Sequence, residues 1–257
     1  MAEIHPSAIV DQDTEIGENV SIGAFSIIEK HVKIGNNTKI ASHTLIATGT
    51  ELGEGCNIHH GAVLGTNPQD LKFEDEQTFL SVGNNTSIRE YATLNRGTTH
   101  SIYTRIGDNC LIMAYAHVAH DCQIGNNVIL ANSVNLAGHV IIEDFVGIGG
   151  LTPIHQFVRI GTQSFIGGGY RIPKDVPPYI LAMGEPLTFG GLNKTGLLRR
   201  GFSPELLSQL RKAYKILYRQ NNTKEEAVKI LSDTFTEVPE VMHLVEFLKK
   251  SERGIIR

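Results

Sequence analysis

The chain has no tryptophan and only three cysteines in 257 residues. Cys56, Cys110 and Cys122 are odd in number and far apart, so they make neither a disulfide framework nor a zinc motif. A basic surplus is also missing. Lys and Arg total 23 against 27 Asp and Glu, a net charge of −4, whereas nucleic-acid-binding domains carry basic excess. No apolar run approaches the roughly 18 residues a membrane span needs. The opening MAEIHPSAIV has no basic start leading into an apolar stretch, so no secretory signal is read there. A cytoplasmic protein without nucleic-acid or membrane partners is the expectation. An apolar content of 41% supports a packed core, and 26 glycines indicate many turns.

What the chain does have is a beat of six. Counted from Ile4, every sixth residue to Ile172 is a branched aliphatic at all but three of 29 positions, the exceptions being Asp70, Glu76 and His100. The residue two before the aliphatic is mostly small or β-branched, as in Val20, Ser26, Thr38, Ala62, Ala116, Val128 and Val140. A spacing of two places both on one face of a strand. All three cysteines occupy this small inward position, which makes them core filler. Glycine often follows the aliphatic directly, as at Gly17, Gly35 and Gly107, where it suits a tight corner. Hexads of this kind predict a parallel β-helix. Three sides make a coil of 18 residues, and successive coils stack at about 4.8 Å.

The beat loses its aliphatics over 65–81 and 95–105 but keeps its phase, so each stretch is expected to leave the coil as a loop and return. Loops on a rigid scaffold are favoured places for function. Pro177 and Pro178 mark the end of the pattern. Beyond them Ser203-Pro204-Glu205 reads as a helix start, with Leu206, Leu210, Tyr214 and Leu217 at helical spacing. Thr223 and Glu226 have capping-box spacing, and a third helix is expected from near Pro239 to near Ser251. The division is therefore a β-helix over 1–190 and a small helical domain over 191–257, packed on the end of the coil or on a neighbouring subunit.

The stretch LIMAYAHVAHDC, residues 111–122, carries the chemistry-bearing side chains. His117, His120 and Asp121 are open to three uses: a metal site, a base with its helper, or hydrated surface. None falls on the inward set, and neither do His139 and His155. Adding 18 stacks His120 beneath Gly138 and then Gln156, and Asp121 beneath His139. A glycine leaves its backbone N–H accessible. A base beside such an N–H suits acyl transfer, with the imidazole taking a proton and the N–H stabilising an oxyanion. Asp121 would fix the imidazole tautomer. A metal site needs three converging ligands, and residues three apart on a strand face opposite ways, so no metal is expected. His5, His31, His43, His59 and His60 are read as surface.

The segments AHVAHDC, LAGHV, GGLTPIHQF, NPQDLKF, DVPPY and GLLRRGF, in that combination, resemble the UDP-N-acetylglucosamine acyltransferase family of lipid A biosynthesis over nearly the whole chain. The resemblance implies a mainly β fold, a left-handed parallel β-helix of hexapeptide repeats followed by a small C-terminal α-helical domain. It implies a homotrimer with sites between subunits, moving an (R)-3-hydroxyacyl group from acyl carrier protein to the 3-position of the glucosamine in a UDP-sugar. No cofactor is implied beyond the carrier's phosphopantetheine. By the same resemblance His120 is the general base, Asp121 its partner and Gly138 the oxyanion donor. His117, His139, His155 and Gln156 contact the sugar nucleotide, and Gln69, Asp70 and Lys72 contact acceptor and donor. Asn193, Arg199 and Arg200 lie near the nucleotide phosphates and carrier arm. Gly168 lies where acyl-chain length is set. Arg171, Lys174, Arg211 and Lys212 add positive charge for an acidic carrier. Asn95 and Thr195 stand where this family commonly has histidine and glutamate, which leaves a 3-amino acceptor open. A coenzyme A-dependent hexapeptide acetyltransferase and a non-catalytic scaffold are the alternatives.

Overall fold

The computed structural model describes residues 2–220 and 222–257. Short strands of mostly two residues stack into three parallel walls of a prism. Wall one runs from Glu3–Ile4 to Phe165–Ile166, wall two from Ile9–Val10 to Pro153–Ile154, and wall three from Glu15–Ile16 to Arg159–Ile160. Glu3 pairs with Ser21 and His117 with Asn135, each 18 apart. Across the two excursions the registers lengthen: Asn57 pairs with Ser87 and Thr93 with His117. Each excursion thus inserts whole hexads, which is why the beat resumes in phase. The coil is the left-handed parallel β-helix.

Both expected inward positions fill the prism. Ile28, Ile46, Leu64, Ile88, Val118 and Leu136 are each no more than 1% exposed, and the alternate positions Ser26, Ala62, Ala116, Cys122 and Val140 are fully buried. Burial pushes the Cys110 thiol up to about 11 and that of Cys122 to about 12, so neither is a nucleophile near neutrality.

The corners differ from the expectation. The residue in the left-handed region is not the glycine after the aliphatic but the position three after it, whatever its type: φ is 59° at Phe25, 60° at Asp121, 62° at His139 and 61° at Phe145. A positive φ at the second central residue is what a type II-like turn requires. Gly35 is kept small for another reason. A Cβ there would lie 2.5 Å from the carbonyl carbon of Gly53 in the next coil. The edge between walls three and one carries an Asn/Asp ladder that satisfies its turn amides: the Glu18 N–H donates to Asn36 Oδ1 at 2.8 Å, and the Asn126 N–H to Asp144 Oδ1 at 2.7 Å.

The first coil is open, with Ile4 42% exposed, and the last is capped by the chain itself. Wall one gains a parallel strand, Ile180–Met183, and an antiparallel one, Thr188–Leu192. Among the described residues four helices follow: α1 Lys194–Arg199, α2 Pro204–Arg219, α3 Lys224–Thr234 and α4 Pro239–Lys250. Ser203 caps α2, with Pro204 in its first turn, and Thr223 and Glu226 close a full capping box on α3. α1 was not expected, because its six residues include Gly196 and no acidic first turn. The helices sit on the end of their own prism. The Tyr214 hydroxyl donates to the Pro178 carbonyl, and Ser251 Oγ donates to Asp175 Oδ2 at 2.6 Å.

α4 also reaches down the side of the prism, where His243 Nε2 lies 2.7 Å from Glu143 Oε2. That hydrogen bond raises the His243 imidazole, so its contribution is present at low pH and fades as pH climbs through the raised value. Burial alone would push Glu143 up, but the same hydrogen bond and the His243 charge hold it below the usual carboxylate range. Its contribution therefore fades as pH falls through that lowered value. The pair supports the contact most in the window between. His243→Ala is expected to lower unfolding free energy by about 0.5–1 kcal/mol near pH 6, a small value because the His243 side chain is 41% exposed. Melting curves at about pH 6 and pH 9 check it, the gap closing at the higher pH.

Candidate active site

His120 and Asp121 form the corner between strands His117–Val118 and Gln123–Ile124, on the edge where walls two and three meet. Gly138 and His139 form the same corner one coil further on, and Gln156 and Phe157 the next. The His120 ring lies directly over Gly138. A Cβ built on that glycine would stand 2.6 Å from His120 Cε1 and 2.7 Å from Nε2. No acceptor among the described residues takes the Gly138 N–H. The reason is local: the coil beyond offers Gln156 here, not the Asn/Asp side chain that occupies the ladder edge.

His120 Nδ1 is 2.8 Å from Asp121 Oδ2. An ionised carboxylate only accepts, so the proton sits on Nδ1 and the Nε2 lone pair is free. Asp121 is more enclosed than its position on the outer edge suggests. Its side chain is fully buried, not inside the prism but under the second excursion. Thr98 donates to it through N–H, at 3.0 Å, and hydroxyl, at 2.7 Å, and the Ser101 hydroxyl reaches Oδ1 at 2.5 Å. Burial alone would raise this carboxyl, but the hydrogen bonds from His120, Ser101 and Thr98 outweigh it and hold it well below the usual carboxylate range. Thr98 and Ser101 were not among the expected site residues.

His139 stands edge-on to His120, with centroids 5.0 Å apart, and stacks on Phe157 at 4.4 Å. Burial lowers its imidazole, Asp121 opposes that, and His120 and His100 add to the lowering. His117 is lowered by burial and by His120, and its Nδ1 is 2.7 Å from Thr93 Oγ1. His100, also unanticipated, packs against His139 at 4.6 Å. With Ser101, Phe157, Arg159 and Lys250 it lines a cavity of about 240 Å³ beside the corner. The ligand-type atoms of His120, Asp121 and His139 come within 4.8 Å of one another, a trio different from the His117–His120 pair weighed on spacing alone. The Asp121 oxygens in that trio are already occupied by hydrogen-bond donors.

The remaining expected residues fall into three places. Gln69, Asp70 and Lys72 lie on the first excursion, where Asp70 bears on the His139 charge. His155 and Gln156 are exposed one coil beyond Gly138. Asn193 and Arg200 are elsewhere. Asn193 caps α1 and donates Nδ2 to the Gln163 carbonyl at 2.9 Å, while the Arg200 guanidinium lies 5.2 Å from the Phe145 ring centroid. Gln163 and Phe145 belong to the edge between walls three and one, and Gly168 to the edge between walls one and two. Arg199 and Thr195 follow Asn193 on α1. Asn95 is buried on wall two, its Nδ2 donating to Thr66 Oγ1 at 3.1 Å and to the Asn67 carbonyl at 3.0 Å, so it ties down the root of the first excursion. One chain thus gathers His117, His120, Asp121, Gly138, His139, His155 and Gln156 about one edge and leaves Asn193, Arg200 and Gly168 on the others.

A prism built of such hexads places the chain in the hexapeptide-repeat transferase class. The family model for bacterial transferase hexapeptide (six repeats) matches residues 13–48, 31–66 and 103–138. A second model, described as UDP N-acetylglucosamine O-acyltransferase domain 2, matches 175–256, beginning ahead of the 190/191 division expected from the sequence. The acyl-[acyl-carrier-protein]–UDP-N-acetylglucosamine O-acyltransferase of Sulfurihydrogenibium sp. is 54% identical, covering 99% of this chain and 94% of that one. Its namesake from Aquifex aeolicus is 52% identical over 99% and 98%. The solved UDP-N-acetylglucosamine acyltransferase of Francisella novicida superposes with a TM-score of 0.97 at 37% identity, covering 99% of this chain and 94% of that one. The chain belongs to the acyl-[acyl-carrier-protein]–UDP-N-acetylglucosamine O-acyltransferase family.

Proposed function

We propose that this chain transfers an (R)-3-hydroxyacyl group from acyl carrier protein to the 3-hydroxyl of the glucosamine in UDP-N-acetylglucosamine, in lipid A biosynthesis. His120 Nε2 takes the proton of the acceptor hydroxyl as its oxygen attacks the thioester carbonyl. The oxyanion that forms rests against the Gly138 N–H. Collapse breaks the C–S bond, and the departing phosphopantetheine thiolate receives the proton from His120. Asp121 holds Nδ1–H throughout, keeping the lone pair on Nε2. The His120–Gly138 arrangement, an imidazole with one nitrogen tied beside a residue whose amide has no acceptor among the described residues, is the observation that supports this chemistry. No metal or organic cofactor has a part in it.

The enzyme acts as a homotrimer with its sites between copies. Two features support this. Among the contacts assigned to phosphates, carrier arm and acyl chain, Asn193, Arg200 and Gly168 sit on different prism edges from His120, so one copy's edge needs another's to complete a site. The edge between walls one and two also carries exposed Phe25, Tyr91, Tyr115 and Leu151, the last 71% exposed, an apolar stripe suited to a second copy. His117, His139, His155 and Gln156 take the sugar nucleotide, and Gln69, Asp70 and Lys72 on the first excursion contact both substrates. The absence of any helix long and apolar enough to cross a membrane among the described residues accords with action on carrier-borne chains in the cytoplasm.

Purified protein, sized as three chains, should convert 3-hydroxyacyl carrier protein and UDP-N-acetylglucosamine to a product whose acyl group is released by mild alkali, as an ester is. Turnover confined to the 3-amino analogue, giving an alkali-stable amide, would overturn the hydroxyl acceptor.

A further inference from the structure

We propose that Thr98 and Ser101 are positioning residues, which make the second excursion a latch that aims the Asp121 carboxylate at His120. The inference rests on His120 being the base and adds what decides its tautomer. Asp121 Oδ2 has two imidazoles within reach, His120 Nδ1 at 2.8 Å and His139 Nδ1 at 3.7 Å. The His139 nitrogen is buried and has no hydrogen-bond partner among the described residues. A free carboxylate would divide itself between them, and each swing toward His139 would release the His120 proton to either ring nitrogen. The latch prevents this by holding both oxygens from the other side. Thr98 donates its N–H to Oδ1 at 3.0 Å and its hydroxyl to Oδ2 at 2.7 Å, bridging the two. Its hydroxyl in turn accepts the His100 N–H at 3.2 Å, which turns its single proton toward Asp121. Ser101 has one hydroxyl proton and two acceptors, Asp121 Oδ1 at 2.5 Å and the Tyr103 carbonyl at 2.8 Å. The nearer and ionised oxygen takes it.

The excursion therefore does more than reach toward substrate. Its polar segment is part of the base's support, held to the corner by four donors on a buried carboxylate, the fourth being the Ser101 N–H at 3.3 Å from Oδ1. Threonine and serine suit this task because each offers a backbone and a hydroxyl donor over a short span and adds no competing charge.

The test uses Thr98→Val, Ser101→Ala and the double variant, with Thr98→Ser as rescue and Thr99→Ala, an exposed neighbour without a bond to Asp121, as control. Hydrogen bonds to a charged group are worth roughly ten- to a hundredfold in equilibrium terms, so kcat should fall about tenfold in each single variant and further in the double, with KM within about twofold. Thr98→Ser should regain most of the loss, and Thr99→Ala should behave as wild type. ¹⁵N spectra of the folded proteins should show His120 as the Nδ1–H tautomer in the wild type and as a mixture in the double variant. A double variant that keeps both the single tautomer and wild-type kcat overturns the latch while leaving His120→Ala to judge the base separately. Unaltered turnover in His120→Ala would remove the base and the latch together.

Discussion

His120→Ala is expected to lower kcat about a thousandfold, within the hundred- to ten-thousandfold span of a positioned general base. In the proposed mechanism Nε2 meets the acceptor proton only as the new C–O bond forms, so the loss should fall on the chemical step and KM for the sugar nucleotide should move far less. The variant should stay folded. Removing the imidazole takes one donor from the buried Asp121 carboxylate, but Thr98 and Ser101 continue to satisfy both of its oxygens. Val118, the inward residue of the same strand, is untouched, and the prism core with it. Residual turnover would come from the Gly138 amide and from substrate positioning, neither of which needs the histidine. Single-turnover assays on correctly assembled protein decide the matter. A rate within a few-fold of wild type would strip His120 of its role.

The geometry that makes this prediction was legible in the sequence to the extent that the period is physical. Inward positions repeat because each coil buries the same two faces, so adding 18 correctly set His120 against Gly138 and Asp121 against His139. The period is silent wherever the chain leaves it. Thr98 and Ser101 stand 23 and 20 residues before Asp121, distances no hexad count produces, because the excursion reaches the corner by its own path. The corner glycines were misassigned for a related reason. Composition marked the position after the aliphatic, where contact with the next coil forbids a Cβ, while the positive φ falls two residues later on residues as bulky as Phe145 and His139. The period also names a wall only for residues within the prism. Asn193 and Arg200 lie beyond its end, and their placement on a different edge from His120 follows from α1, a helix too short and too poor in helix formers to be read from sequence.

Gly138→Ala should be as damaging as removing the base, although it adds a single methyl group. The backbone itself tolerates alanine, since φ at 138 lies outside the left-handed region, so the folded chain should lose little stability. The space is what is missing. The new Cβ would stand 2.6 Å from His120 Cε1 and 2.7 Å from Nε2, well inside contact distance. The backbone of residue 138 is pinned, its carbonyl accepting the Phe157 N–H at 3.2 Å, so the imidazole is the part that must move. Moving it breaks the 2.8 Å bond to Asp121 and carries Nε2 away from its place over Gly138. Two functions then fail at once: the base is misaligned, and the amide is shielded from an oxyanion. Loss of one such donor alone costs about a hundred- to a thousandfold in kcat, and displacement of the base should bring the total to about a thousandfold or more. Because both lesions act on the same reacting centre, Gly138→Ala combined with His120→Ala should be little worse than either alone. Fully additive losses would mean that the two residues do not work on one transition state, and a Gly138→Ala enzyme with near-normal kcat would show that the amide and the imidazole do not share a substrate at all.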